Sequence, residues 1–440
     1  MKKLISLFSI FSITVPTALL LISCGPIESK NVIMWIESNP NSPSLQGYIE
    51  AAEEFNVDRD IKVEVKNVAK GNMERELLSN KYAPSIINGS MDRTFRVQQI
   101  RSEEIMPIQF EKSMAYDYSF LEYGQDKDGN QLMVPVGKSF SVLLINKTLL
   151  KEVDESFDES TPDDELIEYI FENVESLIKS LEKKDKSKLM GIDDLSDLIN
   201  LQFARKEKIN TTKQNDDYLF NYYNETLIVN KKAIDTIDPL MSKLNKIRNS
   251  LVMTSGSTRP SNDFSKQKLL MTTASSAGLK YYNTSKEGWD PNIAIINLPN
   301  NSDNFMVQRG DGLIALKSGS KEKQNVAEEF VVSLIESKDL WSTSASASGY
   351  IPWTSNELSG DFKFEDGAPE QKVLEIVKSK DTKQFSIEAN ESSGLYDQFI
   401  FNELFVNILK SKNGWNKERV LVDNKDAFEN ASKSRRVVYR

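Results

Sequence analysis

The hydrophobic pattern of the chain falls into stretches of unlike period. A largely apolar run from Leu4 to Ile22 comes first, behind Met1-Lys2-Lys3, and breaks at Ser23-Cys24-Gly25-Pro26. After a short polar interval, Val32-Ile33-Met34-Trp35-Ile36 predicts a buried strand. Ser42-Pro43-Ser44 predicts the start of a helix that carries Leu45, Ile49, Ala52 and Phe55 on one face. Ile61-Lys62-Val63-Glu64-Val65 alternates with the period of a strand, a helix is expected from about Asn72 to Asn80, and Pro84-Ser85-Ile86-Ile87 predicts a third short strand. Strand, helix, strand, helix, strand implies a parallel sheet with right-handed crossovers.

Two more strands are expected at Leu132-Met133-Val134-Pro135 and Val142-Leu143-Leu144-Ile145-Asn146, after which long helical periods take over. From Leu166, residues Ile167, Ile170, Phe171, Val174, Leu177, Ile178 and Leu181 recur at helical spacing, and Leu240, Leu244, Ile247 and Leu251 mark another helix. Strands return at Leu269-Leu270-Met271-Thr272-Thr273, Ile293-Ala294-Ile295-Ile296 and Gly312-Leu313-Ile314-Ala315-Leu316. A helix with Val326, Phe330, Val331, Leu334 and Ile335 follows, and helical patterns at Val373 to Val377 and Phe399 to Leu409 close the chain. This alternation predicts an α/β protein of two lobes that the chain visits more than once, with small-molecule binding in the cleft at the carboxyl ends of the strands.

The basic start and apolar run read as a secretory signal. Leu21-Ile22-Ser23-Cys24 resembles the lipobox of bacterial lipoproteins, which implies cleavage before Cys24 and acyl chains on it. The competing reading is an uncleaved membrane helix; Pro16 and the abrupt polar switch after Cys24 speak against it. Cys24 is the single cysteine, so no disulfide forms within the body of the chain and its stability rests on core burial. A net charge of -10 speaks against a nucleic-acid partner. With no histidine, Ser-His-Asp and Cys-His nucleophiles and histidine-bearing zinc sites are excluded. Carboxylate-pair hydrolysis survives that filter, but the doublets Asp193-Asp194 and Asp216-Asp217 sit in polar stretches and read as solvated surface. No catalytic residue, metal site or cofactor is therefore expected.

Three stretches in order, Lys70-Gly71-Asn72-Met73-Glu74, Met271-Thr272-Thr273-Ala274-Ser275-Ser276-Ala277-Gly278 and Gly349-Tyr350-Ile351-Pro352, resemble the extracellular solute-binding proteins of ABC importers, and among them the glycerol-3-phosphate-binding members. Pro135 to Lys147 and Gly310-Asp311-Gly312-Leu313 are supporting matches. The resemblance implies a two-lobed periplasmic-binding-protein-like fold of type II, with two or three strands crossing between lobes that close by hinge motion. The divisions expected are a signal peptide over 1–23, a tether over 24–30, a first lobe of 31–141 and 276–318, and a second of 142–275 and 319–440. It also implies ligand contacts at Ser139, Ser275, Gly310 and Tyr350. An ABC permease is the implied partner, with a monomeric receptor lipid-anchored on the extracellular face of the cell membrane.

Departures from the family pattern bear on the ligand. Met73 stands where the family has a tyrosine, and Asp92 is the acid available near Met91. The family's phosphate-binding arginine falls near Tyr396 or Asp397, and no arginine occurs between Arg309 and Arg419. Arg309 is the candidate replacement, with Arg93 and Arg96 as second candidates, because a guanidinium is the usual bidentate holder of phosphate. Glycerol phosphate, a glycerophosphodiester and a neutral sugar stay open, and Trp35, Tyr350 and Trp353 are candidates to stack on a sugar or box a choline cation. Two other functions stay open: a surface antigen or adhesin whose cleft is no longer used, which the losses near Met73 and Asp397 motivate, and a surface hydrolase working through paired carboxylates; Arg309-Gly310-Asp311 separately spells an adhesion tripeptide, though it leads into an expected strand.

Overall fold

In the computed structural model the described residues run from 29 to 439, apart from 81, 102–103, 111–120, 127, 205–207, 210–216, 224–225, 255–257, 287, 300–303, 337–348, 352–362, 380, 388–395, 424 and 427–435. The apolar leader, Cys24, Asp216 and Trp353 lie outside them.

The amino-terminal pattern folds as its periods predict. Strands β1 (Val32–Glu37), β2 (Val63–Val68) and β3 (Ile86–Gly89) are parallel, in the order β2-β1-β3. Helix Pro43–Phe55 starts where Ser42 Oγ accepts the Leu45 N–H at 3.2 Å, with Pro43 in the first turn, and its buried face includes Leu45, Ala52 and Phe55. Helices Met73–Ser79 and Met91–Ile100 follow β2 and β3.

The middle of the chain corrects several expectations. Residues 132–146 form not two strands but one, β4 (Val134–Asn146). Gly137, Lys138, Ser139 and Ser141 interrupt the apolar run without interrupting the ladder, because all four are buried within the sheet. The segment from Leu166 is two helices, Leu166–Glu172 and Val174–Lys183, parted at Asn173. Five strands then fall where helices were expected to dominate: β5 (Lys188–Ile192), β6 (Lys208–Ile209), β7 (Phe220–Tyr223), β8 (Thr226–Val229) and β9 (Leu251–Met253). Leu251 belongs to β9, not to the preceding helix Ile234–Lys246. Strands β10 (Leu269–Ser275), β11 (Ile293–Asn297), β12 (Phe305–Ala315) and β13 (Lys383–Ile387) complete the main sheet, whose path is β2-β1-β3-β12-β4-β10-β5-β9. The last strand, β14 (Arg436–Tyr439), pairs with β8 in a separate three-stranded sheet with β7.

Two strands serve both halves of the molecule. Along β4, Val134 and Val136 enter a core shared with β1 and helix Lys321–Glu336, whereas Leu143 and Ile145 enter another built on β5, helix Leu195–Leu201 and helix Ile234–Lys246. Along β12, Leu313 and Ala315 belong to the former and Phe305 and Val307 to the latter. The sheet is buried on both faces, so each half has two cores; Ile87, Ile314 and Leu316 meet on the far face of the first half, and Phe140, Val142 and Met306 on that of the second. Helix Lys321–Glu336 thus packs on the first half although it follows residue 318, and 276–307 packs largely with the second. Both differences from the expected divisions arise because the switch takes place inside continuous strands, where composition marks no boundary.

Candidate functional site: a cleft across the crossing strands

Where β4 and β12 pass between the halves, both turn polar. Their antiparallel register sets Gln308 opposite Phe140, Arg309 opposite Ser139, Gly310 opposite Lys138 and Asp311 opposite Gly137, with an irregularity between Asp311 and Gly312. Above this floor lies a cleft of about 630 Å³. All six sequence candidates, Asp92, Ser139, Ser275, Arg309, Gly310 and Tyr350, line it.

Local structure explains how each arrives there. Ser275 is the last residue of β10, paired with Ser141, and Thr273, Ala274 and Ala277 line the cleft beside it. Ser276 instead faces inward and accepts the Phe140 N–H at 3.1 Å. Tyr350 follows Gly349, which has φ +72°, and Ile351 bridges to Lys138 through N–H···O bonds of 2.7 and 3.2 Å. The Tyr350 ring packs over Gly137, where a Cβ would stand 2.3 Å from its Cγ. Met73, in contrast, is fully buried in a core. Trp35 packs against that same core and does not line the cleft, so its sugar-stacking role is not supported.

The arginines are held by acids rather than presented to the cleft with their charge unanswered. Arg309 Nε donates to Asp197 Oδ1 at 2.7 Å, and its Nη2 donates to Ser196 Oγ at 2.7 Å, to Asp194 Oδ2 at 3.2 Å and to Asp197 again. Arg93 donates to Glu37 at 2.5 Å, to Glu74 at 3.3 Å and to the Asn88 carbonyl at 3.1 Å. Arg96 donates to Glu74 at 3.0 Å and also to Asp92. Each candidate phosphate holder thus already carries carboxylate partners.

Asp193 and Asp194, read from the sequence as solvated surface, line the cleft together with Asp197. They sit at the carboxyl end of β5 and the start of helix Leu195–Leu201, where Asp194 accepts the Ser196 N–H at 2.9 Å and the Asn402 amide at 2.8 Å. The signal was present in the strand Leu189-Met190-Gly191-Ile192 followed by a capping aspartate, but the surrounding charge concealed it. Asp217, of the other doublet, is exposed.

Burial tends to raise these carboxyls, and their partners decide the outcome. In Asp197, burial prevails over the attraction of Arg309, with Asp194 adding repulsion, and lifts the pKa to about 6. In Asp194, burial is outweighed by Arg309 and by hydrogen bonds from Ser196 and Asn402, which hold it below the ordinary value. Burial likewise raises Asp311 against the pull of Arg93, and raises Asp193 against its hydrogen bond from Thr254. In Asp92, Arg96 and Ser90 overcome burial and lower it. The described lining holds five aspartates and three arginines. It therefore suits hydroxyl donors better than an additional anion.

A sheet buried on both faces, two strands shared by two lobes and a polar cleft over their crossing define the maltose-binding-like class of type II periplasmic solute-binding folds. The profile of a family described as bacterial extracellular solute-binding protein matches residues 50–368. The chain belongs to that family, whose members are binding proteins that take up a small solute outside the cell and deliver it to an ABC permease. Among solved structures it resembles the GacH receptor of Streptomyces glaucescens, determined unliganded and with acarbose, at 14% identity and TM-score 0.64 over 92% of this chain and 98% of that one. A putative oligosaccharide periplasmic-binding protein from Synechococcus, in complex with zinc, aligns at 14% identity and TM-score 0.65 over 91% and 99%. An ABC substrate-binding protein from Listeria monocytogenes in complex with cycloalternan aligns at 13% and 0.63 over 92% and 98%. A search of curated proteins finds no match. Among the described residues no helix is long and apolar enough to cross a membrane.

Proposed function

We propose that the protein is a membrane-tethered receptor that closes its two lobes around a neutral oligosaccharide and hands it to an ABC permease. The observation that carries this reading is the cleft lining: acids, hydroxyls and the aromatic rings of Tyr123, Tyr350 and Phe385, with all three lining arginines paired to carboxylates. Carboxylates accept from sugar hydroxyls, and ring faces cover the apolar side of a pyranose. The saccharides named with two of the structural relatives support the same class. Ser139, Ser275, Gly310 and Tyr350 are the proposed contacts, and diacylated Cys24 is the proposed anchor of a monomeric receptor.

Glycerol 3-phosphate or its diesters, the narrower ligand that the sequence resemblance implies, would need Arg309, Arg93 or Arg96 to exchange a carboxylate for a phosphate. The adhesion-tripeptide reading loses its support, since Arg309-Gly310-Asp311 lies within β12 opposite β4 instead of at a loop tip.

Thermal unfolding with millimolar maltotetraose, cycloalternan or sn-glycerol 3-phosphate separates the ligands. A ligand at about 100 times its Kd stabilises the folded state by about 2.7 kcal/mol. The saccharides are expected to raise Tm and the phosphate to leave it unchanged; the opposite pattern would replace the saccharide reading with the phosphate one.

A further inference from the structure

Strand alternation puts the Arg309 side chain on the cleft side of the sheet: its cross-strand partner is Ser139, and the two line the cleft with Val307 and Ser141, each two residues along the same strands. The Arg309 side chain is 34% exposed and that of Asp194 35%, so both are open to a ligand in the cleft. Nε and Nη2 form an edge with which a guanidinium forks onto a carboxylate or a phosphate. In Arg309 both of those nitrogens donate to Asp197, and Nη2 donates also to Asp194 and Ser196. Neither carboxylate is loosely placed. Asp197 also accepts from the Ser141 hydroxyl, and Asp194 accepts the Ser196 N–H and the Asn402 amide. Between them runs the start of helix Leu195–Leu201, anchored in the core of the second half through Leu195, Leu198 and Leu201.

We propose that Asp194 and Asp197 are specificity-determining residues that hold Arg309 away from anionic ligands, so that the cleft refuses phosphorylated solutes and admits neutral saccharides. The proposal rests on the saccharide reading above and gives the discrimination a physical cause. Two carboxylates meet one guanidinium, so the ionised cluster keeps a negative charge. A phosphate arriving at Arg309 must displace Asp197 from the edge it occupies and then lie beside both acids, which their own hydrogen bonds and the helix keep in place. Like charges brought together across a binding site weaken binding and suppress the wrong ligand. A sugar hydroxyl meets no such penalty, because it both donates and accepts and can bond to the acid or to the guanidinium without displacing either.

The test removes the charges and keeps the shape. Inorganic phosphate and sn-glycerol 3-phosphate are titrated calorimetrically into wild type, Asp194→Asn, Asp197→Asn, the double variant, and the double variant carrying Arg309→Met. Affinity for both phosphates is expected to rise about tenfold or more in the double variant, less in each single variant, and to fall back when Arg309→Met is added. That last variant is still less negative than wild type, so its loss of affinity separates a guanidinium released to phosphate from a general change of charge. Wild-type phosphate affinity in the double variant, or a gain that survives Arg309→Met, would overturn the assignment. If the double variant does not unfold cooperatively, the single variants decide, since asparagine at 194 keeps a capping side chain, and no gain in either overturns it. Maltotetraose and cycloalternan titrated into wild type form a separate arm. If neither binds, the saccharide reading fails by itself, and the phosphate titrations still decide the role of the two aspartates.

Discussion

At Gly137, a methyl group in place of the α-hydrogen would meet Tyr350 Cγ, Cβ and Cδ2 at 2.3 to 2.7 Å. Gly137 lies in a paired strand and Tyr350 is tied to it through the bridge between Ile351 and Lys138, so neither side has room to retreat. Gly137→Ala is expected to cost about 1–3 kcal/mol as overpacking and to weaken ligand binding by displacing the ring. Urea unfolding and calorimetry on one preparation would check both effects. Asp197 provides a second test. Its folded pKa of about 6 lies above the ordinary carboxyl value, so between roughly pH 4 and 6 the folded state holds more protons than the unfolded chain. The stability linked to this group is therefore fully present at low pH and is lost as pH rises through 6. Asp194, Asp92, Glu37 and Glu74, all lowered, act in the opposite sense and lose stability as pH falls. A comparison with Asp197→Asn isolates the one group. From pH 7 to pH 4 the stability difference should move toward wild type by roughly 2 kcal/mol, measured by urea unfolding at each pH.

At the scale of elements, period two and period 3.6 were sufficient for the amino-terminal elements that turn one face to a core. Helix Pro43–Phe55 shows this: its cap, its proline and its apolar stripe all agree with the folded helix. They were insufficient where an element serves the cleft. β4 reads as two strands because Gly137, Lys138 and Ser139 look like a turn, yet Lys138 is fully buried and donates from Nζ to Gln384 Oε1 at 2.7 Å. The β5 unit was hidden for the same reason, since its strand runs straight into three aspartates at 193, 194 and 197. Asp194 there joins helix cap to arginine clamp. Asp194→Ala should lower stability by about 1–2 kcal/mol through the cap and leave Arg309 to Asp197 and Ser196. Chemical denaturation would measure the loss, and a drop below about 0.3 kcal/mol would show that the cap is not formed in solution.

For the whole molecule, the consequential feature is that both lobes are built on the same two strands. The proposed hinge motion would bend β4 and β12 near Gly137 to Ser141 and Gln308 to Gly312, where the register shifts between Asp311 and Gly312. Small-angle scattering is expected to show a smaller radius of gyration with saccharide than without. An unchanged radius would argue against hinge closure. The proposed tether is tested at the same scale: if Cys24 is diacylated, Cys24→Ser should move the protein from the detergent phase to the aqueous phase, because two acyl chains hold a membrane where one is marginal.

The sequence by itself determined the strand-helix order from Val32 to Gly89, the exclusion of histidine chemistry and of disulfides within the body of the chain, and a set of six candidate residues that all line one cleft. These are local or compositional properties, readable from spacing and residue type. Tertiary structure decided which charges are neutralised, because Arg309 meets Asp194 and Asp197 from more than 100 positions away. It also decided that a doublet resembling surface is cleft wall. Burial and pairing are relations between distant segments, and no periodicity along the chain encodes them.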